Sequence, residues 1–190
     1  MDFTAEYEDF CRAWLAGSDR DLRYQCFDTY FKLWVVCNRL YAQVAFALAN
    51  RGDLKLGARA SFPDPEAAQD YVVQYVGAGN LIQATEGDAA CSGALATLVK
   101  LIEAHKFYIR LHRVTGERQP ECDRELLAKL TSNSKDERAR AVLETLYSIR
   151  CNMVHGHKAY RGVQCELLDP AAVLLRKVAD IVLAKLREDC

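Results

Sequence analysis

The sequence predicts an all-α protein, built as an up-and-down bundle of four main helices with one or two additional short helices. Apolar residues recur at steps of three and four along most of the 190 residues, and Gly and Pro divide the chain into segments of helical length. Residues 162–168 form the best strand candidate and are too short to change the class. Short connections between long amphipathic helices favour antiparallel neighbours, and a 51% hydrophobic chain can bury one core. We therefore expect residues 1–190 to form a single domain.

The first main helix is predicted at 18–50, after an additional helix at 3–16. Along 18–50 a set of large apolar residues shares one helical face. Its members are Phe27, Phe31, Trp34, Tyr41, Ala45 and Leu48. Their spacing predicts a long and largely buried helix.

The middle of the chain predicts a second additional helix at 64–79 and a main helix at 89–112. Asp64-Pro65-Glu66 is a typical helix start, and Gly77 predicts a break. In 89–112, Lys106, Arg110 and Arg113 recur at helical steps, with His105, Tyr108 and His112 between them. Such a stripe is typical of a solvated face, although it could also contact a phosphate backbone.

The last two main helices are predicted at 135–155 and 170–188. Ser134 and Glu137 have the spacing of a capping box, and Gly156 is a good helix stop. Asp169-Pro170 repeats the start signal. The final helix then carries an apolar stripe of Val173, Leu174, Val178, Ile181, Val182 and Leu186.

Charge and composition exclude several classes of partner. The 25 basic and 26 acidic residues nearly cancel, so no overall field attracts nucleic acid or a membrane. The most apolar stretch, 33–49, contains Asn38, Arg39 and Gln43, and the first residues lack the pattern of a signal peptide. We expect a cytoplasmic protein with no membrane association. Its cysteines are expected as reduced core residues, with Cys190 a loose terminal thiol. They are Cys11, Cys26, Cys37, Cys91, Cys122, Cys151, Cys165 and Cys190.

The candidate site is the end of the predicted 135–155 helix. Leu143, Tyr147, Arg150 and Val154 follow steps of four, three and four, which places the arginine on the core-facing stripe. A guanidinium cannot shed its charge, so it needs either a carboxylate partner or a groove that holds a phosphate. His155 lies in the last turn, where unpaired carbonyl groups favour the imidazolium.

These residue types fit RNA cleavage by the substrate's own 2′-hydroxyl. His155 would act as general acid or base, Arg150 would clamp the scissile phosphate, and Asn152 would orient the phosphate or the imidazole. The chemistry calls for no metal and no cofactor. His157, Lys158 and Arg161 are expected to contribute further substrate contacts, and His157 could replace His155, although its position after Gly156 favours His155.

The segment 146–158 resembles the R-x(4–6)-H motif of the HEPN superfamily, through Arg150 and His155. Many members of this superfamily are helical-bundle ribonucleases of toxin–antitoxin or anti-phage defence systems. The resemblance implies a homodimer in which two copies of Arg150 and His155 form one composite cleft that cuts RNA without metal. An antitoxin or nucleotidyltransferase-like partner is also implied. Asn152 matches the polar residue inside the motif, which in many members follows the arginine directly, where this chain has Cys151.

Three alternatives remain open at the level of the sequence. The protein could be a HEPN-like dimer that binds a nucleotide, an RNA or a partner without cleavage. Arg150 could simply pair with a core carboxylate while His155 caps its helix. Finally, Cys151, His155, His157 and Cys165 have the composition of a zinc site, although they lack the Cys-x-x-Cys spacing of common zinc modules.

Overall fold

The computed structural model describes residues 8, 25–54, 63–112, 114–154 and 162–189. Over these residues the chain is all-α, as predicted, with seven helices and a single isolated bridge between Leu111 and Arg118. The helices are α1 (Gln25–Asn50), α2 (the consecutive segments Asp64–Glu66, Ala67–Tyr71 and Val72–Val76), α3 (Ala78–Glu86), α4 (Ala89–Glu103), α5 (Pro120–Leu130), α6 (Lys135–Val154) and α7 (Cys165–Glu188).

Helix α1 lies in the core, packed against α7 and α2. The predicted face is buried, with Trp34 at 5% exposure and Ala45 at 0%. Phe31 is the exception, because its side chain is 53% exposed. Of the predicted helix 3–16 only Glu8 is described, and it is helical, while the first residues of 18–50 fall outside the described part of the chain.

Helix α2 begins where the segment Asp64-Pro65-Glu66 predicts a helix start. However, Pro63 holds the N-cap position, and Asp64 is already helical. Its second segment, Ala67–Tyr71, is a π-helical turn. The predicted break at Gly77 is confirmed, with φ of 89° and ψ of 128°. The predicted extent 64–79 is therefore wrong at its end, because Ala78 already belongs to α3, which was missed as a separate helix.

Helix α4 begins where Asp88 caps it, since this carboxylate accepts hydrogen bonds from the backbone N–H groups of Ala90 and Cys91 at 3.0 and 3.1 Å. The predicted extent 89–112 is wrong, because α4 ends at Glu103. His105, with φ of 52°, occupies the left-handed position that ends a helix, and the N–H of Lys106 donates to the carbonyl of Leu101 at 3.1 Å.

The described residues from 105 to 119, all but 113, form an extended turn-back segment, so Lys106 and Arg110 do not belong to the predicted basic helical stripe. The N–H of His112 donates to Glu117 at 2.8 Å, and the N–H of Gln119 donates to Arg110 at 3.1 Å. Lys106 pairs with Glu166. Arg113 lies outside the described residues.

Helix α5 was missed. Pro120 stands in its first turn together with acidic residues, the same start signal that was recognised at Asp64. Its buried Asp123 accepts backbone hydrogen bonds from Ile109 at 3.2 Å and from Arg110 at 2.8 Å. This carboxylate fixes the turn-back segment against the bundle.

Helix α6, Lys135–Val154, confirms the predicted start at residue 135, and the predicted end at residue 155 and stop at Gly156 lie outside the described residues. The Ser134 hydroxyl accepts a hydrogen bond from the N–H of Glu137 at 3.3 Å, which is the first half of the capping box. The second half differs, because the Glu137 carboxylate accepts from the Ser132 hydroxyl instead. α6 packs against α2, α3 and α5.

Helix α7 begins at Cys165, before the predicted start at residue 170, so Pro170 lies inside the helix. A proline near the N-terminus removes only one intrahelical hydrogen bond, and a short 3-10 turn at Gly162–Gln164 leads into this helix. Of the predicted stripe, Leu174, Val178 and Val182 are buried, whereas Val173 is 38% exposed. α7 packs against α1 and α4.

The cysteines correct another expectation, because Cys26 and Cys165 form a disulfide that joins α1 to α7. Cys37 and Cys91 are buried free thiols, as predicted, while Cys122 and Cys151 are only partly buried. Since Cys165 is oxidised, the zinc alternative loses one of its four ligands.

Candidate functional site

Arg150 lies near the end of α6, beside an aromatic cluster contributed by α1 and α6. Tyr147 is buried on the predicted stripe, and Arg150 itself is partly buried. The guanidinium carbon of Arg150 is 6.0 Å from the ring centre of Trp34 and 5.9 Å from that of Tyr147. The two rings meet edge to face at 5.8 Å. The cation is therefore held by aromatic rings.

The guanidinium of Arg150 has no carboxylate partner among the described residues. Its Nη1 donates to the sulfur of Cys151 at 3.9 Å, and its buried Nε has no hydrogen-bond acceptor. The indole N–H of Trp34 is likewise buried without an acceptor. Two unsatisfied donors in one cluster call for an explanation, because such groups are rare in folded proteins. The described residues therefore do not form the alternative arrangement, in which Arg150 pairs with a core carboxylate.

The tyrosines around Arg150 do not neutralise its charge. Burial raises the pKa of Tyr147 to about 12, the thiol of Cys151 adds to this rise, and Arg150 opposes it. Burial also raises the pKa of Tyr30 and Tyr41 well above the ordinary value, again with Arg150 in opposition. All three hydroxyl groups therefore stay protonated near neutral pH.

Asn152 has a structural contact. It is 6% exposed, and its side-chain amide donates to the carbonyl of Ile109 at 2.8 Å. Residues two apart on a helix point to nearly opposite sides, so Asn152 and Arg150 do not share one face of α6. The amide links the end of α6 to the turn-back segment that Asp123 also holds.

A cavity of about 290 Å³ lies beside this link, between the turn-back segment, α2 and α6. Tyr147 and Cys151 line it, and both also contact Arg150. Its other lining residues are Pro65, Gln69, Ile109, Arg110, Leu111, His112, Gln119, Ser148 and Asn152. The cavity therefore adjoins the motif, one side-chain layer away from the arginine.

Arg110 forms one wall of the cavity and is held in place. Its Nη1 pairs with Glu144 at 2.9 Å and donates to the Ser148 hydroxyl at 3.4 Å. Lys129 approaches the same carboxylate at 4.0 Å. The carboxylate of Glu144 thus fixes the orientation of this guanidinium.

Four of the predicted site residues, His155, His157, Lys158 and Arg161, lie outside the described residues. Arg150 and Asn152 are described, and they sit on different sides of α6. The sequence places Tyr147 beside Arg150 but predicts neither Trp34 as a neighbour of the arginine nor the cavity. Trp34 had been recognised only as a core residue, and its helical spacing carries no signal for a contact with α6.

Comparison with protein-family models, with characterised proteins and with solved structures gives no match for this chain. None of the described helices combines the length and apolar character that a membrane span requires. The function must therefore be argued from the site itself.

Proposed function

We propose that the protein is a metal-independent endoribonuclease of HEPN type, acting as a toxin or an anti-phage defence effector. The observation that carries the proposal is Arg150, a cation at the end of α6 with no carboxylate partner among the described residues. An arginine in such surroundings is suited to a phosphate, whose charge would satisfy the guanidinium.

The sequence around Arg150 supports an anionic ligand. Between Glu144 and Glu166 the chain contains no acidic residue, whereas it contains Arg150, His155, His157, Lys158 and Arg161. The overall charge is close to neutral, so this stretch is a local concentration of positive charge. A strand of RNA would supply the negative charge that the stretch lacks.

The proposed reaction uses the 2′-hydroxyl of RNA as nucleophile. His155 takes the hydroxyl proton or protonates the leaving 5′-oxygen, and Arg150 stabilises the charge that develops on the phosphate. Because one histidine serves one proton transfer at a time, a homodimer supplies the second acid or base from its other copy. Lys158, Arg161 and His157 add contacts to the strand.

The proposal also covers how the helices are arranged in the fold. α1, α4, α6 and α7 are the four main helices of an up-and-down bundle, and α2, α3 and α5 are additions to it. The packing of α7 on α1 and α4 supports this arrangement. A nucleotidyltransferase-like antitoxin would be the partner that restrains such a toxin.

One observation favours a second candidate, a HEPN-like dimer that binds RNA or a nucleotide without cutting it. The amide nitrogen of Asn152 is already bonded to Ile109, so it is not available to orient a phosphate. A binding role needs only Arg150, the basic stretch and the cavity. The two candidates differ in a single measurable property, cleavage.

The test is cleavage of a mixed-sequence RNA by the purified protein in excess EDTA. We expect wild-type protein to cut and both His155→Ala and Arg150→Ala to lose at least about 100-fold in rate, the usual contribution of a positioned acid–base group or charge stabiliser. His105→Ala and Arg124→Ala are matched controls, because both residues are exposed and outside the cluster. Both controls should cut like wild type.

Oligomeric state is measured on the same preparations. Micromolar protein should sediment as a dimer, and the variants should keep the dimer and the wild-type melting temperature. Intact RNA with wild-type protein, or full activity of His155→Ala, would contradict the nuclease proposal. Intact RNA that is nevertheless bound, with binding lost in Arg150→Ala, would establish the second candidate.

A further inference from the structure

The cavity beside Asn152 has the size of a site for one small flat ligand. Its volume of about 290 Å³ is at the lower end of the ~300–1,000 Å³ of small-molecule pockets. It lies between α2, α6 and the turn-back segment, so its walls come from three separate elements. The turn-back wall is fixed twice, by the hydrogen bonds that Asp123 accepts from it and by the bond that Asn152 of α6 donates to it.

Three primary amides line this cavity. The side chains of Gln69 and Gln119 form no hydrogen bond with any described residue, and the amide oxygen of Asn152 accepts none from them. An amide offers a donor and an acceptor side by side, which matches the N6 and N7 edge of adenine. The cavity therefore presents unused groups of the type that reads adenine.

Guanine is the base that an arginine usually reads, through its O6 and N7 atoms. Arg110 lines the cavity, but its guanidinium is paired with Glu144 at 2.9 Å and also contacts Ser148. It is therefore not free to face a base edge with both of its terminal nitrogens. The available amides and the occupied guanidinium together favour adenine over guanine.

Tyr147 connects the cavity to Arg150. Tyr147 is one of the residues that line the cavity, and the guanidinium of Arg150 lies 5.9 Å from the centre of its ring. Aromatic side chains bind bases of single-stranded RNA by stacking. A base in the cavity and a phosphate at Arg150 would thus both lie next to Tyr147.

Gln69 stands in the π-helical turn of α2, Ala67–Tyr71. π-helical turns are rare and occur often at functional sites, because the extra residue changes the direction of the side chains that follow. This turn packs against α1 and α6, and it places Gln69 at the cavity.

We infer that this cavity binds a nucleobase, adenine in preference, next to the phosphate that Arg150 contacts. The inference rests on the proposed function in taking its ligand from RNA. It adds a base preference to that site: the strand would be held by an adenine beside the scissile phosphate.

The test is titration of the purified protein with AMP, GMP, CMP and UMP. Calorimetry measures the binding, and the NMR signals of the side-chain amides show which amides respond. AMP should bind about tenfold more tightly than GMP, the factor that one good amide–adenine pair contributes. Gln69→Leu and Gln119→Leu should each weaken AMP binding about tenfold. Gln83→Leu is the matched control, because Gln83 is exposed on α3 and outside the cavity, and it should bind AMP like wild type.

The outcome separates this inference from the nuclease proposal. If RNA stays intact but AMP binds with the expected preference and glutamine dependence, the nuclease proposal fails and the base site stands. Equal binding of all four nucleotides, no binding, or AMP binding unchanged in both glutamine variants would overturn the base site even if RNA is cut. Circular dichroism of each variant confirms that the fold is retained.

Discussion

Asn152 shows how one residue can carry both a motif and a structural contact. It matches the polar position inside the motif, yet its amide holds the carbonyl of Ile109, a residue with 0% exposure. A loss of activity on mutating Asn152 would therefore not by itself assign a role in the chemistry. Its contribution to stability has to be measured first.

Asn152→Ala is expected to lower the free energy of unfolding by about 1–3 kcal/mol, because it leaves a buried carbonyl without its donor. Urea denaturation measures this loss. Asn80→Ala is the matched control, since the Asn80 amide makes the same type of bond, to Val76 at 2.9 Å, from an exposed position. The control should cost much less. An Asn152→Ala protein as stable as wild type that no longer cuts RNA would instead place Asn152 in the reaction.

For single residues, the sequence predicts on which face of its helix Arg150 lies, but not which residues of other helices surround it. Helical spacing alone places Arg150 beside Leu143 and Tyr147 on the stripe that faces the core. The contact between Asn152 and Ile109 spans 43 positions, and no local pattern encodes it. The contact between Arg150 and Trp34 is also non-local, so it depends on how α1 and α6 pack.

A helix boundary is predicted from sequence only where a local signal marks it: α2, α4 and α6 begin as predicted, whereas α7 begins before the predicted residue 170. Ser134 marks the start of α6 because its hydroxyl accepts a hydrogen bond from a free N–H group of the first turn. Pro65 marks the start of α2 because the first turn needs no N–H group from it. The end of α4 was missed because His105 adopts the left-handed conformation that glycine usually provides. By contrast, Gly77 marked a real break, since its φ of 89° and ψ of 128° suit glycine almost alone.

Gly77→Ala is expected to destabilise the protein by about 1–3 kcal/mol, the cost of holding a side chain in that backbone region. A Cβ at this position would meet only the Asn80 amide, at 3.6 Å, so strain and not crowding causes the loss. Thermal denaturation measures it.

Gly79→Ala is the matched control for the junction between α2 and α3. A Cβ at Gly79 meets nothing within 4 Å, and the residue lies inside α3. Alanine is the better helix former, so this variant should be as stable as wild type or gain about 0.5–1 kcal/mol. If both alanine variants changed stability equally, the backbone of Gly77 would not explain the junction.

The buried residues of the described helices form one hydrophobic core. Within this core α7 packs mainly against α1 and α4, whereas α6 packs mainly against α2, α3 and α5. The sequence predicts the class and most of the long helices, because helical periodicity is local. It does not predict which helices are neighbours, and this is also why the pairing of Cys26 with Cys165, 139 residues apart, was missed.

The disulfide Cys26–Cys165 is expected to stabilise the fold by about 2–5 kcal/mol, because it restricts the unfolded chain over a long loop. It joins the start of α1 to the start of α7, the two helices that pack most extensively on one another. Urea denaturation with and without a dithiol reductant measures this effect. The wild-type midpoint should fall in the reductant.

The variant with both Cys26→Ser and Cys165→Ser has no bond left to reduce. Its midpoint should therefore be the same with and without reductant, and equal to that of the reduced wild-type protein. Cys122→Ser is the matched control: Cys122 is a free, partly buried thiol on α5, so this variant should respond to the reductant as wild type does. A wild-type midpoint that is the same with and without reductant would mean that the cross-link restricts nothing in the unfolded chain. In that case the packing of α7 on α1 alone would hold these two helices together.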